Sequence, residues 1–451
     1  MLDPKFIREH AKDVKDSLKK RGIDIALVDE YLKDDERYRK LKEEVDSLRH
    51  KRNVISEEIN ILKKSGKSSE AGKKILEAKS IPERIKAIEI DIEQTEKKVR
   101  ELLLKIPNIP AKDVPFGKSS EDNKVIRRWG KPTKFKFKAK DHLELAKNLG
   151  IIDDAKAAEV SGNGFFYLKE ELALLDLAIQ RFAIDFLRKR GYKLIEPPFM
   201  MHKKAMEGAV SLAGFDEMVY KIQDDDLYLI GTAEHALAAI MMNETILESE
   251  MPLKFIGLSS CYRKEVGSHG KYTKGLFRMH QFNKVEQFIF CKPQDSWKMF
   301  DELQKNSEDM FKALKIPFRT VVLCTGDMGF MVAKTYDIEV WTADNQYREV
   351  GSNSNCTDFQ ARRLNIKYKE KEGQTPKGLV HTLNNTGLAT SRVMVAILEN
   401  YQQKDGSIKV PNVLQKYAGF KIIKPIKIKK IETKKKSKKV KKIVKGGKKR
   451  R

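Results

Sequence analysis

Cysteine is scarce in this 451-residue chain: four residues, Cys261, Cys291, Cys324 and Cys356, with no paired spacing. They offer neither a disulfide framework nor a zinc knuckle, and reduced thiols in an intracellular, cytoplasmic protein are the expectation. Long apolar runs are missing too, so no segment approaches the length that spans a membrane. The opening Met-Leu-Asp-Pro-Lys-Phe has an acid at position 3 and no apolar stretch of the secretory kind. Acids are the scarcer charge: 64 Asp and Glu face 90 Lys and Arg, a formal net charge of +26. Seventeen Lys or Arg and one acid, Glu432, lie in residues 421–451, which leaves about +10 for the rest. With 40% hydrophobic residues, the bulk can bury a substantial core. The tail from 421 has no aromatic residue and too few apolar ones to fold around; disorder is expected, and its charge suits non-specific RNA contact.

Residues 1–108 are rich in charge, poor in glycine and helical in pattern. Tyr38, Leu41, Val45, Leu48, Ile55, Ile59 and Leu62 follow steps of three or four, with Arg52 at one seam position. After Ser65–Gly72, read as a Gly/Ser turn, Ile81, Ile85, Ile88, Ile92, Val99 and Leu102 repeat the step, with Thr95 in the gap. Two such helices predict an antiparallel coiled-coil hairpin, about 35 residues and about 50 Å per arm. Pro82 should kink the second helix or displace its start. Lys51, Arg52, Lys63, Lys64, Lys67, Lys73 and Lys74 gather towards the tip, where phosphate contact is the chemistry they suit. On pattern alone, a dimerising or spacer rod is the favoured reading of such a hairpin.

Pro107, Pro110, Pro115 and Pro132 mark 109–135 as a linker. From 136 to 420, helices alternate with β-rich segments. Leu172–Lys189 reads as an amphipathic helix leading into a strand that ends at Pro197-Pro198. Strands are expected at 227–231, 255–263, 280–290, 318–324, 336–342 and 346–354, several with period two, as in an antiparallel sheet. A closing helix is expected near 388–402.

The most informative stretch is Phe255–Glu265, a Gly-, Ser- and Lys-rich turn, then Gly275–Glu286. Two apolar, aromatic-rich runs flanking a polar loop predict a long hairpin. On a strand Arg263 and Glu265 share a face, and Arg278, Phe282 and Glu286 lie on the return. One face then offers a cation for phosphate, a carboxylate for an amino group and a ring for stacking. This is a nucleotide site without a phosphate-cradling loop.

The hairpin resembles motif 2 of class II aminoacyl-tRNA synthetases, in the form found in the seryl-tRNA synthetases. Thr232-Ala233-Glu234, the segment Gly387-Leu-Ala-Thr-Ser-Arg392, the helix–strand–proline unit at 172–198 and the N-terminal arm strengthen the resemblance. It implies an α+β fold: an N-terminal antiparallel coiled-coil hairpin joined to a class II antiparallel sheet flanked by helices. It implies activation of L-serine with ATP and Mg²⁺, transfer of the seryl group to tRNA(Ser), and possession of a homodimer in which one subunit's arm grips the tRNA's long variable arm.

By the same resemblance, Arg263 holds the α-phosphate and the serine carboxylate, with Arg392 facing the nucleotide from the other side. Glu265 accepts from the adenine amino group, with Lys264 beside it. Phe282 stacks on the ring, Met279 lies near it, and Arg278 is a second phosphate ligand. Glu349 and Ser352, from Glu349-Val350-Gly351-Ser352, supply oxygens to Mg²⁺, a hard cation that prefers them. Thr232, Ala233 and Glu234 take the serine ammonium; Glu286 accepts its hydroxyl beside Thr386. His269 is placed near the tRNA acceptor end and His280 reads as structural. The family pattern differs here at Gly351 and Asn353, where Ser or Val and often Cys are expected, and at Asn385-Thr386, commonly Gly-Ser.

Two other functions fit less of the chain. A ligase that loads a carrier protein would lack the arm. An RNA-binding coiled-coil protein would leave Arg263, Glu265, Glu286, Glu349 and Arg392 unexplained.

Overall fold

The computed structural model describes residues 1–210, 218–265 and 275–425. Two short helices, Pro4–Glu9 and Ala11–Lys20, precede a 39-residue helix, Ala26–Lys64. Asp24 Oδ1 accepts from Ala26 N at 2.9 Å and so satisfies one orphan donor where that helix begins. The returning strand of the arm is two helices, Ser68–Lys79 and Ile81–Lys105. The tip turn is therefore shorter than Ser65–Gly72: only residues 65–67 are non-helical, and Gly72 sits inside a helix. Pro82 occupies the first turn of Ile81–Lys105, where a missing N–H costs nothing, so it marks a helix start instead of a kink.

The heptad seam is as spaced. Val45, Ile55, Ile81, Ile85 and Ile88 are buried against one another, flanked by Leu41, Leu48, Ile59 and Ile92. Thr95 fills its gap position by donating to Asp91 O at 2.7 Å, which satisfies a hydroxyl that would otherwise be buried unpaired. At its base the arm shares a core with the body. Ile7, Val14, Leu18, Val28, Tyr31, Leu102 and Ile106 pack with Val321, Leu323, Met331, Val332 and Phe359.

The body is built on an eight-stranded sheet among the described residues. Its strands, numbered in chain order, are β1 Lys124–Trp129, β2 Lys193–Ile195, β3 Leu253–Tyr262, β4 Gln281–Cys291, β5 Phe318–Val322, β6 Lys334–Trp341, β7 Tyr347–Thr357 and β8 His381–Ala389. The spatial order is β1-β5-β6-β7-β8-β4-β3-β2. Every pairing is antiparallel except β2 with β3. The stretch expected as a linker, 109–135, thus contributes an edge strand, β1, which covers β5. At the other end the fold continues past 420: Ile422–Ile423 pairs with Ile408–Lys409, and Ile423 is buried. The rest of the tail, with the disorder expected of it, lies outside the described residues.

Strand periodicity sorts side chains to two faces. On β4, Val285, Ile289 and Cys291 join Leu172, Ile179, Leu303 and Phe311 in a core beneath helices Glu170–Arg188 and Ser296–Leu314. Phe288 and Phe290 face the opposite way, towards Ala233, Leu237, Ala361 and Leu364. Helix Ala233–Ala239 lies close on that second face because Gly257 of β3 has no Cβ, which would meet Ala233 Cβ at 2.6 Å.

The departures at 353 and 385 form one unit. Asn353 and Asn385 are directly paired across β7 and β8. Asn353 donates to Phe300 O at 2.9 Å, and Asn385 donates to Leu303 O at 2.6 Å and Ser307 Oγ at 2.9 Å. Both tie the sheet to helix Ser296–Leu314. Gly351 is likewise matched to its neighbour: a Cβ there would meet Thr386 Cβ at 2.9 Å and Cγ2 at 3.1 Å. Gly351→Ala should therefore destabilise by about 1–3 kcal/mol through overpacking. Adding Thr386→Ser removes the Cγ2 contact and should recover part of that loss, checked by denaturant unfolding of both singles and the double.

Candidate active site

β4 and β8 carry the centre of the site on their second face. Lys284 and Glu286 are two apart on β4, and Thr382, Asn384 and Thr386 alternate on β8, with Thr386 opposite Glu286. A register shift between Thr386 and Leu388 then turns Leu388 into the first core. Helix Ala233–Ala239 closes the site from above. Thr232 caps it: its Oγ1 accepts from Glu234 N at 3.1 Å and donates to Glu286 Oε2 at 3.1 Å.

Glu286 has no solvent exposure. Its Oε2 is also ion-paired with the buried Lys284 ammonium, whereas Oε1 has no partner among the described residues. Glu234 is held by two amides: Gln360 Nε2 donates to Oε1 at 3.1 Å and Asn384 Nδ2 to Oε2 at 3.0 Å. Gln360 is itself fixed by Thr382, whose Oγ1 donates to Gln360 Oε1 at 2.7 Å. Burial, and then the Glu286 charge, push the Glu234 carboxyl up to about 7, against the opposing pull of Lys284. Burial, with Arg263 and Lys284 nearby, pushes His235 down to about 3, so its neutral Nδ1 accepts from Gly231 N at 3.4 Å.

The hairpin departs from expectation at its upper end. β3 stops at Tyr262, opposite Gln281. Arg263 continues the pairing with one bond, its N–H donating to His280 O at 3.0 Å. Glu265 is therefore not on a strand, and its φ of 49° is left-handed. Alternation does not set its direction; a 2.8 Å ion pair with Arg278 does. Arg263 Nε donates to Gly231 O at 3.0 Å, and its guanidinium lies 5.4 Å from the Phe282 ring centroid. Met279 is buried in the first core. His280 Nδ1 is 2.7 Å from Arg263 O, consistent with the structural role read for it. His269 lies outside the described residues.

Glu349 and Ser352 are three apart, which on a regular strand would put them on opposite faces. β7 pairs Gly351 with Ile338 but Glu349 with Glu339, so Val350 is an extra residue. That bulge sends Val350 into the core and brings Glu349 round to the face of Ser352. Arg392, the third residue of helix Thr390–Asn400, donates to Glu349 Oε1 at 2.7 Å and lies 5.2 Å from the Phe277 ring. This guanidinium, ahead of opposing burial, holds the Glu349 carboxyl below its usual range. Opposite Ser352 is Asp337, a buried carboxyl whose Oδ1 lacks a partner among the described residues. Burial first, then Glu349, push its pKa well above the usual range. The region therefore joins an aromatic and cationic surface to an oxygen-rich edge and a cluster of two carboxyls.

Comparison with known proteins accounts for both parts of the chain. Residues 1–110 match the model of the seryl-tRNA synthetase N-terminal domain, and 219–401 match the class II tRNA synthetase core domain (G, H, P, S and T). The serine–tRNA ligase of Methanocella arvoryzae is 48% identical over 420 residues, 92% of this chain and 98% of that protein. The chain belongs to the seryl-tRNA synthetase family. Among solved structures, the seryl-tRNA synthetase of Pyrococcus horikoshii complexed with ATP superposes with a TM-score of 0.90 at 44% identity, covering 94% of this chain and all of that one. The cytoplasmic serine–tRNA ligase of Naegleria fowleri in complex with AMP gives 0.83 at 37% identity, covering 94% and 99%.

The structure thus gathers Thr232, Glu234, Glu286 and Thr386 in one pocket, and Arg263 and Phe282 beside it. Glu349, Ser352 and Arg392 form the adjoining edge. Ala233 and Val350 are fully buried and can offer only backbone. Sequence reading missed Lys284, Asn384, Gln360 and Asp337. Period two counted back from Glu286 and Thr386 would have found the first two. Gln360 and Asp337 come from pairings with no local signal. Replacing Asn384 by Leu removes one of the two donors to Glu234; the carboxyl should then titrate above 7, read by carbon-13 NMR of the labelled side chain.

Proposed function

We propose that this protein is a serine–tRNA ligase that makes seryl-adenylate from L-serine and ATP and passes the seryl group to tRNA(Ser). The observation that carries this is the pocket of Thr232, Glu234 and Glu286. It is too polar for an apolar side chain and has one buried acceptor, Glu286 Oε1, left unpaired. A site of that kind rejects a substrate that cannot donate there.

Activation is an in-line attack of the serine carboxylate on the α-phosphorus, with the bond to pyrophosphate breaking. Two anions must meet, so charge neutralisation and alignment dominate. Arg263 is placed to grip both, since its fork suits carboxylate and phosphate alike. Phe282 stacks on adenine, and Glu265, oriented by Arg278, accepts from its amino group. Glu234 and Thr232 bind the ammonium, and Glu286 the hydroxyl. Glu349 and Ser352, brought together by the bulge, with the unpartnered oxygen of Asp337 close by, are the hard donors that Mg²⁺ requires. When bound, Mg²⁺ supplies charge neutralisation on the polyphosphate. Arg392 must then exchange its bond to Glu349 for one to the nucleotide. In transfer, the hydroxyl of the tRNA 3′ adenosine attacks the seryl carbonyl, its proton passing to the departing adenylate phosphate.

Residues 1–108 with the arm form the tRNA-binding unit, and the catalytic unit runs from β1, inside the stretch expected as a linker, to Ile423. Among the arm's tip cations, Lys51, Lys67 and Lys74 are engaged with Glu77, Glu70 and Glu58, whereas Arg52, Lys63, Lys64 and Lys73 make no ion pair among the described residues. The latter are the better phosphate contacts for a long variable arm. Exposed Leu174, Leu177, Leu194 and Met200 lie on helix Glu170–Arg188 and the strands after it, which supports a homodimer through that surface. A cytoplasmic location fits this reaction.

Serine-dependent ATP–pyrophosphate exchange is the direct test, with threonine, alanine and cysteine as competitors, followed by charging of a tRNA with a long variable arm. No exchange with serine in a folded protein that binds ATP would sink the reading. Arg263→Ala should lose exchange by about a hundredfold or more yet keep tRNA binding. The serine ammonium needs Glu234 ionised, so kcat/KM for serine should fall about tenfold per pH unit below about 7 and level off above it.

A further inference from the structure

The reading above gives no role to Lys284, the buried cation of the serine pocket. Its side chain is 7% exposed and that of Glu286 is fully buried. Lys284 reaches the same Glu286 oxygen, Oε2, that accepts from Thr232. The other oxygen, Oε1, is left with no donor. The two residues stand two apart on β4, so their direction is set by strand geometry and not by a loop.

We infer that Lys284 is a specificity-positioning residue: by holding Glu286 through Oε2 it leaves Oε1 as an acceptor reserved for the substrate hydroxyl. This rests on the serine reading above. Two carboxyls, Glu234 and Glu286, lie close enough to interact, and such a pair shares a proton unless cations intervene. Lys284 is one cation and the serine ammonium is the second, so the occupied pocket is neutral. A protonated Glu286 could turn its own O–H towards a neighbour, and an alanine substrate would then leave nothing charged unpaired. With Lys284 present, alanine strands a buried carboxylate oxygen, which is the costly outcome. The other groups facing the pair are His235, kept neutral by burial, Cys261 from β3, Arg263 just beyond its end, and the non-ionising Asn384 and Thr386 from β8. Burial raises the Cys261 thiol, so it brings no negative charge.

The test is Lys284→Met, with Lys284→Gln as a second neutral variant should the first not fold. Serine kcat/KM in pyrophosphate exchange is measured from about pH 6 to 9, with alanine in parallel and the KM for ATP as control. In the wild type the profile should break near 7. In the variant the break should move up by about one unit or more, a loss of about tenfold at neutral pH that is regained in base. Preference for serine over alanine should fall about tenfold, with the KM for ATP within about twofold. In a Glu286→Gln background, Lys284→Met should have little further effect on the preference for serine over alanine, because the group it acts through has gone. Equal losses for serine and ATP with an unmoved profile, or an unchanged serine preference, would overturn the inference. Absence of serine-dependent exchange in the wild type would instead overturn the proposed function.

Discussion

Everything in the catalytic body depends on a constraint of strand geometry: alternate side chains point to opposite faces. β4 and β8 use it without interruption where the substrate pocket lies. Phe288 and Phe290 on β4 seat helix Ala233–Ala239, and Glu286 and Lys284, further along the same face, meet that helix's first turn. Val285 and Ile289 seal the opposite face beneath two long helices. Pocket and core are thus two sides of one strand, and charge can be buried at Lys284 and Glu286 because each meets the other. An isolated carboxylate there would simply take up a proton.

Where chemistry needs groups that alternation separates, the sheet breaks its own period. The bulge at Val350 joins Glu349 to Ser352, and the shift after Thr386 returns β8 to the core before Arg392 enters its helix. The left-handed Glu265 does the same work beyond the end of β3. Each irregularity re-aims one functional side chain, and the regular ladder on either side holds it in place.

Much of this was legible in the sequence. Heptad spacing located the arm, because a seam needs only local periodicity, and Pro82 fell where a helix could begin. Two apolar, aromatic-rich runs, Phe255–Glu265 and Gly275–Glu286, located the central hairpin. Other features rest on pairings between distant segments. β1 hides in a proline-rich stretch, since an edge strand with one partner needs little apolar patterning. Asp337 reaches the edge formed by Glu349 and Ser352 only through its register with Ser352, and Gln360 reaches Glu234 from a six-residue helix. Neither contact leaves a mark in the residues beside it. Lys284 was different: its place two before Glu286 was visible, but a lysine in a strand is ordinarily a solvated edge residue.

The unusual residues at 351, 353, 385 and 386 follow the same logic of paired compensation. Taken singly, Gly351 loosens a strand and Asn385 enlarges a buried position. Together they are complementary, since Thr386 fills space that Gly351 leaves and the two asparagines join as neighbours beneath one helix. Ser307 completes the set by donating to Thr386 O at 2.9 Å while accepting from Asn385. β7, which carries Glu349 and Ser352, and β8, which carries Thr386, are thereby fixed to one helix, Ser296–Leu314. The separation between the Glu286 and Glu349 parts of the site is then set by that helix, and the in-line attack proposed above tolerates little error in it.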